Sequence, residues 1–173
     1  ALDYCEAKSA ETGKKFSCKM TTNGTLLDEA FLIRAKKAGM VIGMSFDGLA
    51  QDVCRRYPNG GGTFELLEKN ARMLLKLMPM SYAMVTIAPE AVGKYAESVK
   101  YLHDLGFHRV TGTIAYGKNV RWTDERLDVL HAQLEKIAEL YSALVVKGER
   151  FFFSAFDAKI NECIDGFNPA ERC

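Results

Sequence analysis

The sequence predicts an α/β fold of parallel strands joined by crossover helices, and three observations carry the prediction. Apolar runs of strand length begin near residues 16, 41, 81, 109 and 150. One amphipathic helical pattern fills each gap between them. Residues that start or stop helices stand at the junctions, among them Gly13, Gly39, Thr63, Gly106 and Thr123. Such alternation buries its apolar faces as a parallel sheet with helices laid over it, each crossover right-handed. A portion of a (β/α) TIM-type barrel and a doubly wound sheet both satisfy the pattern.

The elements follow in order. Ala1-Leu2-Asp3-Tyr4 reads as a helix in progress. Phe16–Met20 is the first strand, after the breaker Gly13. A helix over Leu27–Ala38 is opened by Thr25-Leu26-Leu27-Asp28, a capping-box pattern with Asp in place of Glu. Leu27, Ala30, Phe31, Arg34 and Ala38 fall at its helical spacing, and Gly39 ends it. Val41–Phe46 has the continuous apolar character of a buried strand. A polar loop leads through Gly60-Gly61-Gly62 to Thr63, which caps a helix reaching Leu77 with Leu66, Leu67, Ala71, Leu74 and Met78 on one side. Ser81–Ile87 is the next strand. Pro89 stands where a helix begins, because its missing N–H is no loss there. That helix runs to Leu105 before Gly106. Arg109–Tyr116 is another strand, and Thr123-Asp124-Glu125 opens a long helix to Val146. Phe151–Phe153 is the last strand and Asp157–Ile164 a short helix, with a boundary after Gly148.

Composition removes several classes of function. With 23 Lys+Arg against 22 Asp+Glu the net charge is +1, without the basic footprint of a nucleic-acid binder. No apolar run reaches the roughly 20 residues of a membrane-spanning helix. The 48% hydrophobic content is incompatible with wholesale disorder. Cysteines at 5, 18, 54, 163 and 173 form no Cys-x2-Cys pair, which leaves a zinc ribbon or a thioredoxin motif unsupported. Free thiols in a reducing cytoplasm fit this spacing. His103, His108 and His131 make no i, i+4 pair for a metal. The chain begins at Ala1 without Met or leader and stops at Cys173, so it reads as a piece of a longer protein.

In parallel α/β folds chemistry lies at the carboxyl ends of strands. After the first strand come Thr21-Thr22-Asn23-Gly24-Thr25, which read as a ligand-binding turn or an Asx turn feeding a helix. After the second come Ser45 and Asp47, placed on one side by strand alternation. Arg55 and Arg56 follow, either able to hold a carboxylate. Gly60–Gly62 before a helix is a flexible entry, since neither phosphate-loop motif is met. Ile114-Ala115 end the fourth strand, with Lys118 beyond them as a Schiff-base amine if buried. Trp122 and Phe151–Phe153 read as core. No nucleophile–base constellation is present, so the chemistry of an enzyme built on this chain belongs to a cofactor.

Several fragments together resemble the radical SAM superfamily, in its sulfatase-maturase and peptide-modifying (SPASM) branch. They are Thr21-Thr22-Asn23-Gly24-Thr25-Leu26-Leu27, Ser45-Phe46-Asp47-Gly48, Asp52-Val53-Cys54-Arg55 and Gly60-Gly61-Gly62-Thr63-Phe64, in that order. Leu49 stands where the branch has Pro, and Gln51 where it has His. The resemblance spans about residues 20–116. It implies a partial (β/α) barrel in which an oxidoreductase cleaves S-adenosylmethionine reductively on a [4Fe–4S] cluster. The resulting 5′-deoxyadenosyl radical abstracts hydrogen from a peptide or protein. By motif position it implies that Thr21, Asn23, Ser45, Asp47, Arg55, Ile114 and Ala115 bind the cofactor, with Arg56 an alternative to Arg55. The cluster motif is absent, so its ligands would lie upstream of Ala1, and residues 2–14 would be the helix after the barrel's second strand. Residues 1–148 would then be an incomplete barrel and 149–173 the lead-in to a SPASM domain, with Cys173 a ligand of an auxiliary cluster. The piece alone is expected to be inactive and to self-associate through an exposed sheet edge. Two other classes stay open: an aldolase-like lyase using Lys118, and a non-catalytic peptide-binding module.

Overall fold

A computed structural model of the chain describes residues 1–165. Cys173 and the segment leading to it lie outside the described residues. The elements are α1 (Leu2–Thr12), β1 (Lys19–Thr22), α2 (Glu29–Lys37) and β2 (Val41–Ser45). A 3-10 turn at Gly48–Ala50 runs into α3 (Gln51–Cys54), followed by α4 (Phe64–Leu77) and β3 (Tyr82–Ile87). A second 3-10 turn at Val92–Lys94 enters α5 (Tyr95–Leu105), then β4 (Arg109–Ile114), α6 (Asp124–Val146), β5 (Phe152–Phe153) and α7 (Ser154–Asp165).

The five strands pair in sequence order, all parallel. A doubly wound sheet reverses its strand order at a switch point, and this one does not. The order is that of a β/α barrel, and among the described residues the sheet is open, with β1 and β5 at its edges. β5 hydrogen-bonds to β4, so the strand after Gly148 belongs to the same sheet.

The core lies between the sheet and its helices. Along β3, Ala83, Val85 and Ile87 are buried while Tyr82, Met84 and Thr86 face the other way. The buried row meets Leu32 and Ala35 of α2, Leu67, Ala71 and Leu74 of α4, Val99 and Leu102 of α5, and Ile137 of α6. The Phe46 and Phe64 rings pack tilted with centres 5.7 Å apart, and Tyr101 closes the triangle. The opposite face carries an open hollow of about 490 Å³ lined by Lys19, Val41, Tyr82, Arg109, Thr111, Phe152 and Ser154. There the Arg109 guanidinium lies 5.1 Å from the centre of the Phe152 ring.

Four expectations shift. β1 starts at Lys19 rather than Phe16, because its ladder is set by Lys19↔Val41 through Thr22↔Met44; Phe16 lies outside it, 43% exposed. Asp28, not Thr25, caps α2, its carboxylate accepting from Phe31 N–H at 2.8 Å. Pro89 does not open α5: the chain first closes tight turns from Ala91 N–H to Ala88 O and from Lys94 N–H to Ala91 O. α7 begins at Ser154, ahead of Asp157, whose carboxylate accepts from Phe153 N–H at 2.7 Å.

Candidate functional site

A cleft of about 280 Å³ opens at the carboxyl ends of β1 and β2. Its walls are Asn23, Thr25, Ser45, Gln51, Arg55, Arg56, Tyr57, Pro58, Thr63 and Leu67.

The turn after β1 is shaped by its own side chains. Thr22 Oγ1 accepts from Gly24 N–H at 3.1 Å, and Asn23 Oδ1 accepts from the Thr25 N–H and hydroxyl at 3.2 and 3.0 Å. Gly24 sits at φ +78, and a Cβ there would meet the Met44 side chain, so only glycine fits. From α4, Asn70 Nδ2 donates to Gly24 O at 2.8 Å and pins the turn to the helix.

After β2 the chain folds a buried polar network under the cleft. Asp47 is 2% exposed. Its Oδ1 accepts from Thr86 N–H at 2.8 Å and its Oδ2 from Arg55 Nε at 2.5 Å. Burial pushes the Asp47 carboxyl above the ordinary carboxylate range, opposed by the Thr86 N–H and the Arg55 charge. Gln51 Oε1 accepts from Asp47 N–H at 3.0 Å while its Nε2 donates to Thr63 Oγ1 at 2.9 Å. The Thr63 hydroxyl donates in turn to Arg55 O at 2.7 Å. Arg55 is thus fixed at both ends, by Asp47 at its side chain and by Thr63 at its backbone. Its terminal NH2 groups make no hydrogen bond among the described residues. Arg56 instead donates to Asp52 O and Gly60 O, holding the 56–62 loop, which closes with an antiparallel bridge to Gly62.

The glycine run before α4 has a resident partner. Asp52 Oδ1 accepts from Thr63 N–H at 2.7 Å and from Phe64 N–H at 3.0 Å, capping the helix from outside it. The Thr63 side chain does not cap. A Cβ on Gly62 would run into the Asp52 carboxylate, so this glycine makes room for the cap.

The cleft gathers Asn23, Ser45 and Arg55, with Arg56 on its wall. Thr21 is exposed on β1, away from the cleft lining. Asp47 lies beneath it, paired with Arg55. Ile114 and Ala115 stand at the end of β4; Ala115 N–H donates to Ile87 O, and Ala115 O accepts from Trp122 Nε1 at 2.9 Å. Lys118 is exposed, without the burial that a Schiff-base amine requires. Cys54 is exposed, and partial burial with the Glu90 and Asp47 charges pushes its thiol up, away from nucleophile chemistry. Among the described residues no group of three or more His, Cys, Asp and Glu is placed to hold a metal.

The sequence reading missed Gln51, Thr63 and Asn70 as parts of the site. Asn70 had a usable signal: it is a lone amide on the apolar stripe of Leu67, Ala71 and Leu74. The lining offers a fixed guanidinium, hydroxyls and amides, groups able to pair with a carboxylate and with hydroxyls.

No protein-family model matches the sequence, and no curated protein does. Solved structures do. Native anSMEcpe with bound AdoMet superposes with a TM-score of 0.79 at 18% identity, over 98% of this chain and 50% of that one. The same protein with bound AdoMet and the Kp18Cys peptide gives 0.80 at 17% identity, again over 98% and 50%. With the Cp18Cys peptide it gives 0.78 at 18%. That protein is an anaerobic sulfatase-maturating enzyme of the radical SAM/SPASM class. This chain spans about half its length. The chain therefore shares the fold of a radical SAM sulfatase maturase, the fold its motifs predict.

Proposed function

We propose that this chain is the S-adenosylmethionine-binding portion of a radical SAM enzyme that modifies a peptide or protein. The observation that carries the reading is Arg55, held by buried Asp47 with its terminal NH2 groups free, in the cleft at the strand carboxyl ends. The ligand fits these residues. A guanidinium takes an amino-acid carboxylate bidentately, and Ser45, Asn23 and Thr25 offer partners for ribose hydroxyls. Ile114 and Ala115 would flank the adenine. When bound, S-adenosylmethionine supplies the hydrogen-abstracting group; the residues of this chain orient it and exclude water.

An iron–sulfur cluster does not fit the described residues, which hold no suitable ligand group. The reading assigns the [4Fe–4S] ligands to chain outside these 173 residues, and auxiliary clusters with Cys173 to the region beyond Gly148. It takes residues 1–148 as the incomplete barrel and places the parent enzyme in the cytoplasm. No helix among the described residues is long and apolar enough to cross a membrane. The isolated chain is inactive in this reading. A peptide partner is supported by the structures of anSMEcpe with bound peptides.

Calorimetric titration with S-adenosylmethionine tests the assignment. Measurable binding is expected, weakened roughly tenfold or more in Arg55→Ala by loss of a charge-assisted pair. No binding by the wild-type chain, or equal binding by Arg55→Ala, would overturn it.

A further inference from the structure

Away from the cleft, two chemistry-bearing side chains meet where α1 returns to the sheet. Gly13, at φ 68, turns the chain after α1 so that residue 18 runs back beside the first helical turn. Cys5 and Cys18 then line one pocket of about 180 Å³ with Leu2, Ser9, Lys15 and Phe16. Both thiols are free and half-buried. Cys18 is anchored in the sheet, its carbonyl accepting from Val41 N–H at 3.0 Å. α1 is lightly held: Leu2 is its one buried residue, and Asp3 pairs with Arg34 of α2.

We propose that Cys5 and Cys18 are a reversible dithiol–disulfide pair, oxidised by a peroxide, that staples α1 to the edge strand β1. The proposal does not depend on what the cleft binds. Cys5 and Cys18 share this pocket, and the neighbouring Cys5 side chain together with burial pushes the Cys18 thiol up. Cys5 stands on the lightly held α1, whose opening exposes its sulfur, so Cys5 meets the oxidant first. The Cys5 thiolate attacks one peroxide oxygen and the O–O bond breaks, giving a sulfenic acid and hydroxide. The Cys18 sulfur then displaces the sulfenic oxygen as water, and the S–S bond forms. Two thiols and one hydrogen peroxide become one disulfide and two waters; sulfur is oxidised and the peroxide oxygens are reduced. Such reactive pairs are the usual exception to free thiols in a reducing compartment.

The test treats the whole chain with stoichiometric hydrogen peroxide, blocks the remaining thiols with N-ethylmaleimide and maps tryptic peptides without reduction. Ala1–Lys8 linked to Phe16–Lys19 is expected as the dominant disulfide, removed by dithiothreitol. Native-state tryptic cleavage after Lys8 should slow roughly tenfold on oxidation, since the tie suppresses local opening of α1. Cys5→Ser should leave Cys18 fully alkylatable after the same treatment. Links from Cys5 or Cys18 to Cys54, Cys163 or Cys173 in comparable yield, or sulfinic acid at Cys5 without the link, would overturn the proposal. The wild-type peptide map decides even if the serine variant folds poorly.

Discussion

Tyr95 shows how one buried residue turns into a measurable pH dependence. Its ring packs 6.2 Å from Phe153, and its hydroxyl lies where a Gly112 side chain would stand. Burial pushes its phenol up to about 12 from the usual 10. The unfolded chain thus ionises Tyr95 before the folded chain does. The stability this residue lends is whole below pH 10 and is lost as pH rises toward 12. We expect urea unfolding to lose about 2 kcal/mol between pH 9 and pH 12 from this group. Tyr95→Phe should remove that increment of alkaline loss, and an identical pH profile for the two proteins would contradict the assignment. Arg55 belongs to the same scale. Arg55 is paired with Asp47 and keeps its NH2 groups clear of other described residues, whereas the neighbouring Arg56 is engaged with loop carbonyls.

At the scale of elements, α4 owes its start to a residue 12 positions upstream. Asp52 satisfies the Thr63 and Phe64 N–H groups, and a carboxylate also suits the positive end of the helix. Asp52→Ala should lower stability by about 1–2 kcal/mol, with Asp52→Asn costing less because an acceptor remains. Equal urea midpoints for Asp52→Ala and wild type would dismiss the cap. The example also marks a limit of legibility. Glycines before a helix and a threonine at its first position were readable as a helix entry, but a capping side chain on another element leaves no local pattern. The slip of β1 from Phe16 to Lys19 has a related cause. Hydrophobicity alone favoured Phe16, while hydrogen bonding to Val41 set the register. Ser45 and Asn23 were legible because they stand at strand ends, and Arg55 because it lies in the loop that follows β2 and its short helix. Gln51 and Asn70 were not, because their partners Asp47, Thr63 and Gly24 are assembled by packing.

At the scale of the molecule, an open sheet leaves an edge that is expected to associate. β1 has a neighbour on one side, and its free edge can pair with another chain. The open hollow adds an uncovered lining of Val41, Tyr82 and Phe152 beside Lys19 and Arg109. Sedimentation equilibrium at high protein concentration is expected to show dimers or larger species, and a monomer throughout would refute this. By itself the sequence determined the α/β class, the sites of most strands and helices, and the motif resemblance, because periodicity and capping residues are local properties of the chain. Only the tertiary structure decided between an open barrel-like sheet and a doubly wound one, since strand order is a matter of which strand pairs with which. It also decided how the two arginines on the cleft wall are held, because a buried Asp47, a cross-strand N–H from Thr86 and an amide from Gln51 must come together before Arg55 has a fixed direction, while Arg56 is tied to loop carbonyls.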